Sequence, residues 1–205
     1  CIGELSAPGP LPMRSMGGVG VAMRSTGVVN LLNPAAYSSI PQKTFLFNFG
    51  LEGQNYYNSQ TVAGQSKSTA YNTFNFHDIA FQLPLARRLG LGFSLTPYSS
   101  VGYRVSADEQ SDDVWGNIGR VQYLYAGEGD LTEVKLGIGW EGVKRVSIGV
   151  AAQYYWGDIE RTYQTVVSNN IVNGGSVNTV TGTDSYGISR IKMQLGLQAD
   201  LIQSE

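Results

Sequence analysis

Cysteine and histidine are almost absent from this chain. One cysteine, Cys1, excludes an intrachain disulfide. One histidine, His77, leaves too few ligands for a His/Cys metal cluster. Charge is scarce too, at 15% of residues against about 25% in an ordinary soluble domain. The formal net charge is −2, from 14 basic and 16 acidic side chains, which excludes the basic footprint of a nucleic-acid partner. No apolar run approaches the roughly 18 residues of a transmembrane helix, whereas a crossing made by β-strands leaves a weaker, alternating signal and stays open. The 42% hydrophobic content excludes a disordered chain. Cys1 is either a lipid-bearing residue left by signal cleavage or simply where the chain starts. Lacking a starting Met and a signal-like apolar segment, the second reading is adopted.

What is abundant favours strands: 26 glycines and 12 tyrosines. Residues 1–41 are rich in Gly, Pro, Ser and Met. They read as irregular structure with one extended piece from Gly17 to Arg24 and a single helical turn opened by Asn33-Pro34-Ala35. From Gln42 the period becomes two. Phe45, Phe47, Phe49 and Leu51 share one face; Leu46, Asn48, Gly50, Glu52 and Gln54 share the other. A second strand carries Tyr71, Phe74, Phe76, Ile79, Phe81 and Leu83, with a phase slip at His77-Asp78 that predicts a β-bulge. Leu89, Leu91, Phe93 and Leu95 form a third apolar row, running on through Tyr103 and Val105. Val121–Tyr125 and Val134–Trp140 form a fourth strand, interrupted near Gly127–Asp130. The rows Val146–Trp156 and Ile191–Leu201 give two more. Short connections (84–88, 142–145) alternate with long polar loops (58–68, 106–117, 168–183), and no helix of ordinary length is visible after residue 41.

Three features favour an antiparallel transmembrane β-barrel over a soluble β-sandwich. The second face of each strand holds Gly, Ser, Thr, Gln and a few charges, as a barrel lumen does. Tyr56, Tyr57, Tyr98, Tyr103, Tyr123, Tyr125, Trp140, Tyr154, Trp156 and Tyr163 cluster near segment ends, where amphipathic rings suit a membrane interface. Connections alternate short and long. About six strands fall short of the eight in the smallest barrels, so the all-β reading is a partial barrel: residues 1–41 a plug, or hatch, and residues 42–205 the first part of the wall.

Other motifs have plainer readings. Gly17-Gly18-Val19-Gly20 lacks the strand and helix that a dinucleotide loop needs, so close backbone packing explains it better and no cofactor is expected. His77-Asp78 has no nucleophile elbow to serve, so a polar pair facing the lumen is expected, not an enzyme. Asp108, Glu109, Asp112 and Asp113 lack calcium-loop spacing and read as a solvated loop. Arg190 and Lys192 with Glu133, Lys135 and Glu141 are either charge pairs of the lumen or separately solvated.

The run Arg14-Ser15-Met16-Gly17-Gly18-Val19-Gly20-Val21-Ala22, then Leu32-Asn33-Pro34-Ala35-Ala36-Tyr37-Ser38, then the first alternating strand, resembles the FadL-type outer-membrane transporters of long-chain fatty acids. The Cys1-Ile2-Gly3-Glu4-Leu5 opening looks like their Bacteroidetes branch, and Leu89-Gly90-Leu91-Gly92-Phe93 fits the strand after the first short turn. The resemblance covers residues 14 to about 105. It implies a 14-stranded barrel with an N-terminal hatch in the outer membrane of a Gram-negative bacterium; the chain ends near the sixth strand, as a fragment would. It implies passive transport of a small hydrophobic molecule bound near Met13, Met16, Val19, Val21, Leu31 and Leu32. Gly17, Gly18, Gly20, Asn33, Pro34 and Ala35 are its hatch or gating positions, although Asn33-Pro34-Ala35 reads equally as a capped turn with no transport role. The lipid bilayer, the hydrophobic ligand and other outer-membrane proteins are the expected partners. Two alternatives remain: a FadL-like barrel that docks proteins in a secretion system, and a soluble surface β-sandwich.

Overall fold

The computed structural model describes residues 3–62, 65–109, 111–117, 119–168 and 177–200. Cys1, Leu201 and residues 169–176 of the last polar loop lie outside them. The elements in order are β1 (Glu4–Leu5), α1 (Leu11–Ser15), a 3-10 turn (Pro34–Ser39), β2 (Leu46–Val62), β3 (Gln65–Ala86), β4 (Leu89–Asp108), α2 (Asp112–Asn117), β5 (Arg120–Val143), β6 (Val146–Ser168) and β7 (Val177–Ala199). The long strands form one antiparallel sheet in chain order, β2-β3-β4-β5-β6-β7, with β1 paired to β4. The fold is therefore all-β, as expected. Among the described residues the sheet does not close, because β2 and β7 are its two end strands.

The strands are longer than the sequence pattern implied, for a physical reason. Alternation reveals a strand only where one face is apolar. Residues 58–68, expected as a loop, hold no apolar row, yet Asn58 pairs with Thr69 and Thr61 with Ser66 in a continuing β2–β3 ladder. Residues 177–183 of the expected last loop likewise belong to β7. The expected break in β5 is only a backbone irregularity at Gly129 (φ 134°) inside a continuous strand. The short connections are tighter than expected: Arg87-Arg88 joins β3 to β4 and Lys144-Arg145 joins β5 to β6. The extended piece expected over Gly17–Arg24 is a succession of turns, because Gly17 and Gly18 take left-handed φ values of 76° and 80°.

The predicted bulge is present. Gly50 pairs with Asp78 and Leu51 with Phe76, so His77 is the extra residue opposite β2.

The chain divides into two compact units. One comprises residues 1–6, 98–132 and 155–190; the other comprises 7–97, 133–154 and 191–205. In the first, β1 pairs with β4 (Glu4 with Ser100), Val121, Leu131 and Ile159 are buried, and tyrosine rings cover glycines. Tyr103 fills the space where a Gly127 Cβ would stand, Tyr163 does so at Gly182, and Tyr98 packs edge-on against Tyr155. The second holds residues 7–41 and a small core of Val29, Leu31, Tyr37 and Ala80, against which Leu46 packs.

Candidate functional site

The second unit presents two faces of one sheet with opposite chemistry. Residues 7–41 lie against one face. Asn33 caps the 3-10 turn: its side-chain oxygen accepts from the Ala35 N–H at 3.0 Å, and Pro34 supplies the first turn position, where a missing N–H costs nothing. The turn rests on glycines that alternate with the apolar rows. A Cβ on Gly90 or Gly92 would collide with Tyr37, on Gly139 or Gly149 with Pro34, and on Gly196 with Asn33. At Gly137 it would lie 3.0 Å from the Tyr37 ring. The polar face seen in the sequence is thus a floor of backbone on which a second layer sits.

Side chains of the sheet then hold the N-terminal segment by its carbonyl groups. Gln82 Nε2 donates to Tyr37 O (2.9 Å), Lys135 Nζ to Leu31 O (2.6 Å), Gln194 Nε2 to Leu32 O (2.6 Å) and Gln198 Nε2 to Val21 O (2.8 Å). Asn33 Nδ2 returns bonds to Val21 O and Leu197 O. A coil segment packed on a sheet would otherwise bury unsatisfied carbonyls, so these bonds are what permits the burial. Arg24 reaches Ser147, Ser38 and Glu141, the last as a 3.3 Å ion pair. At the bulge, Arg14 donates to Glu52 at 3.0 Å, His77 Nδ1 meets Asp78 Oδ1 at 2.7 Å, and Asn48 donates to Asp78. His77 Nε2 lies 3.3 Å from Ala7 O and 3.8 Å from Glu52. Of the charges expected in the lumen, Lys135 pairs with Glu133 at 3.5 Å and Glu141 pairs with Arg24, while Arg190 donates to the adjacent Ser189 carbonyl. Burial, helped by the Glu133 carboxylate, pushes the Tyr37 phenol well above its ordinary range.

The residues singled out in the sequence fall into different settings. Met13 is fully buried and packs beside Gly9, Gly20 and Leu32; a Cβ on Gly20 would stand 2.6 Å from its sulfur. Leu31 is buried and Leu32 half-buried, whereas Met16, Val19 and Val21 are 52%, 65% and 60% exposed. Gly20 is a close-packing glycine, as expected; Gly17 and Gly18 are turn glycines with open space around them. Asn33, Pro34 and Ala35 are buried in the capped turn. Sequence reasoning missed Arg24, Gln82, Gln194 and Gln198. The glycines spaced by two at 90/92 and 137/139 were the available signal for a closely seated layer.

The opposite face is apolar and uncovered. Phe45, just ahead of β2, and Phe47, Phe49 and Leu51 on it are more than half exposed, as are Ile191, Met193, Leu195 and Leu197 on β7. Leu136, Ile138 and Trp140 on β5 and Ile148 on β6 are also exposed. Ile138, Trp140, Ile148, Val150 and Leu195 line a shallow groove there. No second sheet covers these rows among the described residues, so the face-to-face packing expected of a sandwich is not seen there.

The described residues thus form an open, all-β antiparallel sheet with an N-terminal layer seated on one face and an exposed apolar face opposite. The chain belongs to the BamG family, whose sequence model matches residues 1–204. No curated protein and no solved structure matches it. The family is linked to the outer membrane of Gram-negative bacteria and to other proteins there, those of the Bam complex. This membership corrects the FadL resemblance and overturns fatty-acid transport with it; the secretion-docking alternative and the hydrophobic ligand are likewise unsupported. The features behind that resemblance, a glycine-rich lead-in, Asn-Pro-Ala and alternating strands, meet the geometric demands of a coil seated on a sheet. They carry no information about cargo.

Proposed function

We propose that this chain forms part of the wall of an outer-membrane β-barrel, with residues 7–41 as a fixed internal plug, and that it acts in outer-membrane protein assembly with the Bam complex. The carrying observation is the exposed apolar face, with Phe47 at 60% and Leu195 at 83% accessible, set against an opposite face that is polar and occupied. The β6 row from Val146 to Tyr154 spans about the nine to eleven residues that a tilted crossing strand needs. In lipid the backbone groups along the outer edges of β2 and β7 require partners, so the wall closes with further strands. The plug bonds satisfy carbonyls that a movable gate would have to expose, which suits a permanent stopper and a scaffold role without catalysis.

The test is affinity purification of the tagged full-length protein from detergent-solubilised outer membranes. Integral-membrane behaviour under carbonate wash and co-purification of the Bam complex are the expected results. Release by carbonate would remove the wall assignment. An integral protein with no Bam components would remove the assembly role alone.

A further inference from the structure

Among the described residues, three non-glycine residues occupy left-handed backbone: Lys43 (φ 64°), Arg88 (φ 64°) and Arg145 (φ 75°). That conformation favours Gly, Asn or Asp, which is why such residues usually fill the left-handed position that closes a hairpin turn. Here each position holds a long cation instead. All three stand at one end of the sheet, Lys43 ahead of β2 and the two arginines in the β3–β4 and β5–β6 turns. Backbone and side-chain bonds lay these segments side by side: Gln42 Nε2 donates to Ala86 O (2.8 Å), Glu141 N to Arg88 O (2.9 Å) and Asp200 N to Arg145 O (3.0 Å). Arg87 and Lys144 complete a rim of five exposed cations; of the described acids beside it, Glu141 pairs with Arg24 and accepts from the Arg145 backbone N–H, while Asp200 is exposed. The rim adjoins bare apolar side chains on the outer face: Phe45, Leu85, Trp140 and Val146.

We propose that this rim is a binding site for the phosphate groups of phospholipids at the membrane surface. The proposal rests on the wall reading above. Cations on flexible stems directly beside a hydrocarbon-facing row can reach headgroup phosphates while their methylenes stay against the acyl boundary. An acidic protein partner would have no use for the adjoining apolar row. Strain retained at three separate turns, each time with a positive charge, points to a function for the charge that outweighs the turn's own preference.

The experiment exploits the conflict between turn geometry and charge. Lys43→Gly, Arg88→Gly and Arg145→Gly, combined in the full-length protein, relieve the backbone while removing three charges. Arg87→Gln with Lys144→Gln removes two charges without touching the left-handed positions. Binding is titrated with mixed micelles containing phosphatidylglycerol, phosphatidylcholine, or inorganic phosphate in plain detergent. The wild type should prefer phosphatidylglycerol. At about fivefold per cation near an anionic surface, the triple variant should lose roughly a hundredfold in that affinity, with an unchanged or higher melting temperature; the double variant should lose roughly twenty-five-fold. Unchanged phosphatidylglycerol affinity in a folded triple variant would overturn the proposal. So would free phosphate binding as tightly as the lipid, or variants that keep the lipid and lose only co-purifying Bam proteins. Release of the wild type by carbonate would instead sink the wall reading itself.

Discussion

The ring of Tyr37 occupies the space that a side chain at Gly92 would need, and its carbonyl receives Gln82. Two consequences follow at the scale of single residues. The buried phenol resists ionisation, so its folded-state pKa is raised while the unfolded chain ionises near the ordinary value of about 10. The neutral folded form contributes fully below pH 10 and loses ground as pH rises above it, by up to about 1.4 kcal/mol per unit for this one group. The stability difference between wild type and Tyr37→Phe, followed by denaturant titration, should therefore be flat below pH 10 and shift in favour of the variant above it. A flat difference throughout would mean that the phenol is accessible to water. The second consequence concerns the glycine floor. Gly149→Ala places a methyl into the Pro34–Ala35 backbone and should cost about 1–3 kcal/mol. Gly53→Ala, whose Cβ would meet only Phe74 at an ordinary 3.8 Å, should be neutral or stabilising by about 0.4–1 kcal/mol. Equal melting temperatures for the two variants would show that the plug does not press on the floor. None of this was legible from composition, because a glycine on a polar face looks the same whether water or a backbone stands above it.

At the scale of elements, legibility depended on chemistry with a local cause. The Asn33-Pro34 turn was readable because capping and proline geometry act over three residues. The His77 bulge was readable because a phase slip shows wherever apolar residues mark the phase. The polar continuation of β2 and β3 was not, since residues 58–68 hold no apolar row to mark a face. What the local reading could not supply is the second role of Asn33. Its amide nitrogen tethers the turn to Val21 O and to Leu197 O, across 164 positions of chain. Asn33→Asp keeps the cap acceptor and discards both tethers. Asn33→Ala should cost about 1–2 kcal/mol through the cap alone. Asn33→Asp should fail to recover wild-type stability, because a carboxylate would face two carbonyl oxygens without a donor. Full recovery by Asp in thermal unfolding would reduce Asn33 to a cap.

At the scale of the whole molecule, the alternation was read correctly and the family was not. Period-two patterning fixes which side chains share a face, and the exposed rows on β2, β5 and β7 follow it residue by residue. It carries no information about which wall of this kind a chain builds, so the plug's glycine and Asn-Pro signature pointed to FadL-type transporters when the chain belongs to the BamG family. The wall reading makes a prediction that depends on depth. Ile138 lies well inside the apolar row of β5, whereas Val146 opens the apolar row of β6 beside the Lys144-Arg145 turn, and both are exposed. In water, arginine at either position would change stability by no more than about 0.5 kcal/mol, as surface substitutions do. Facing hydrocarbon, Ile138→Arg should cost about 2–4 kcal/mol and Val146→Arg about 0–1, because the penalty peaks at the bilayer midplane and fades at the interface. Guanidine titration of the full-length protein folded into phosphatidylcholine vesicles measures both. Matching small effects would place the row in water and leave its exposure without a purpose. A gradient from Ile138 to Val146 would place the short turns at the membrane surface, where their cations meet phosphate.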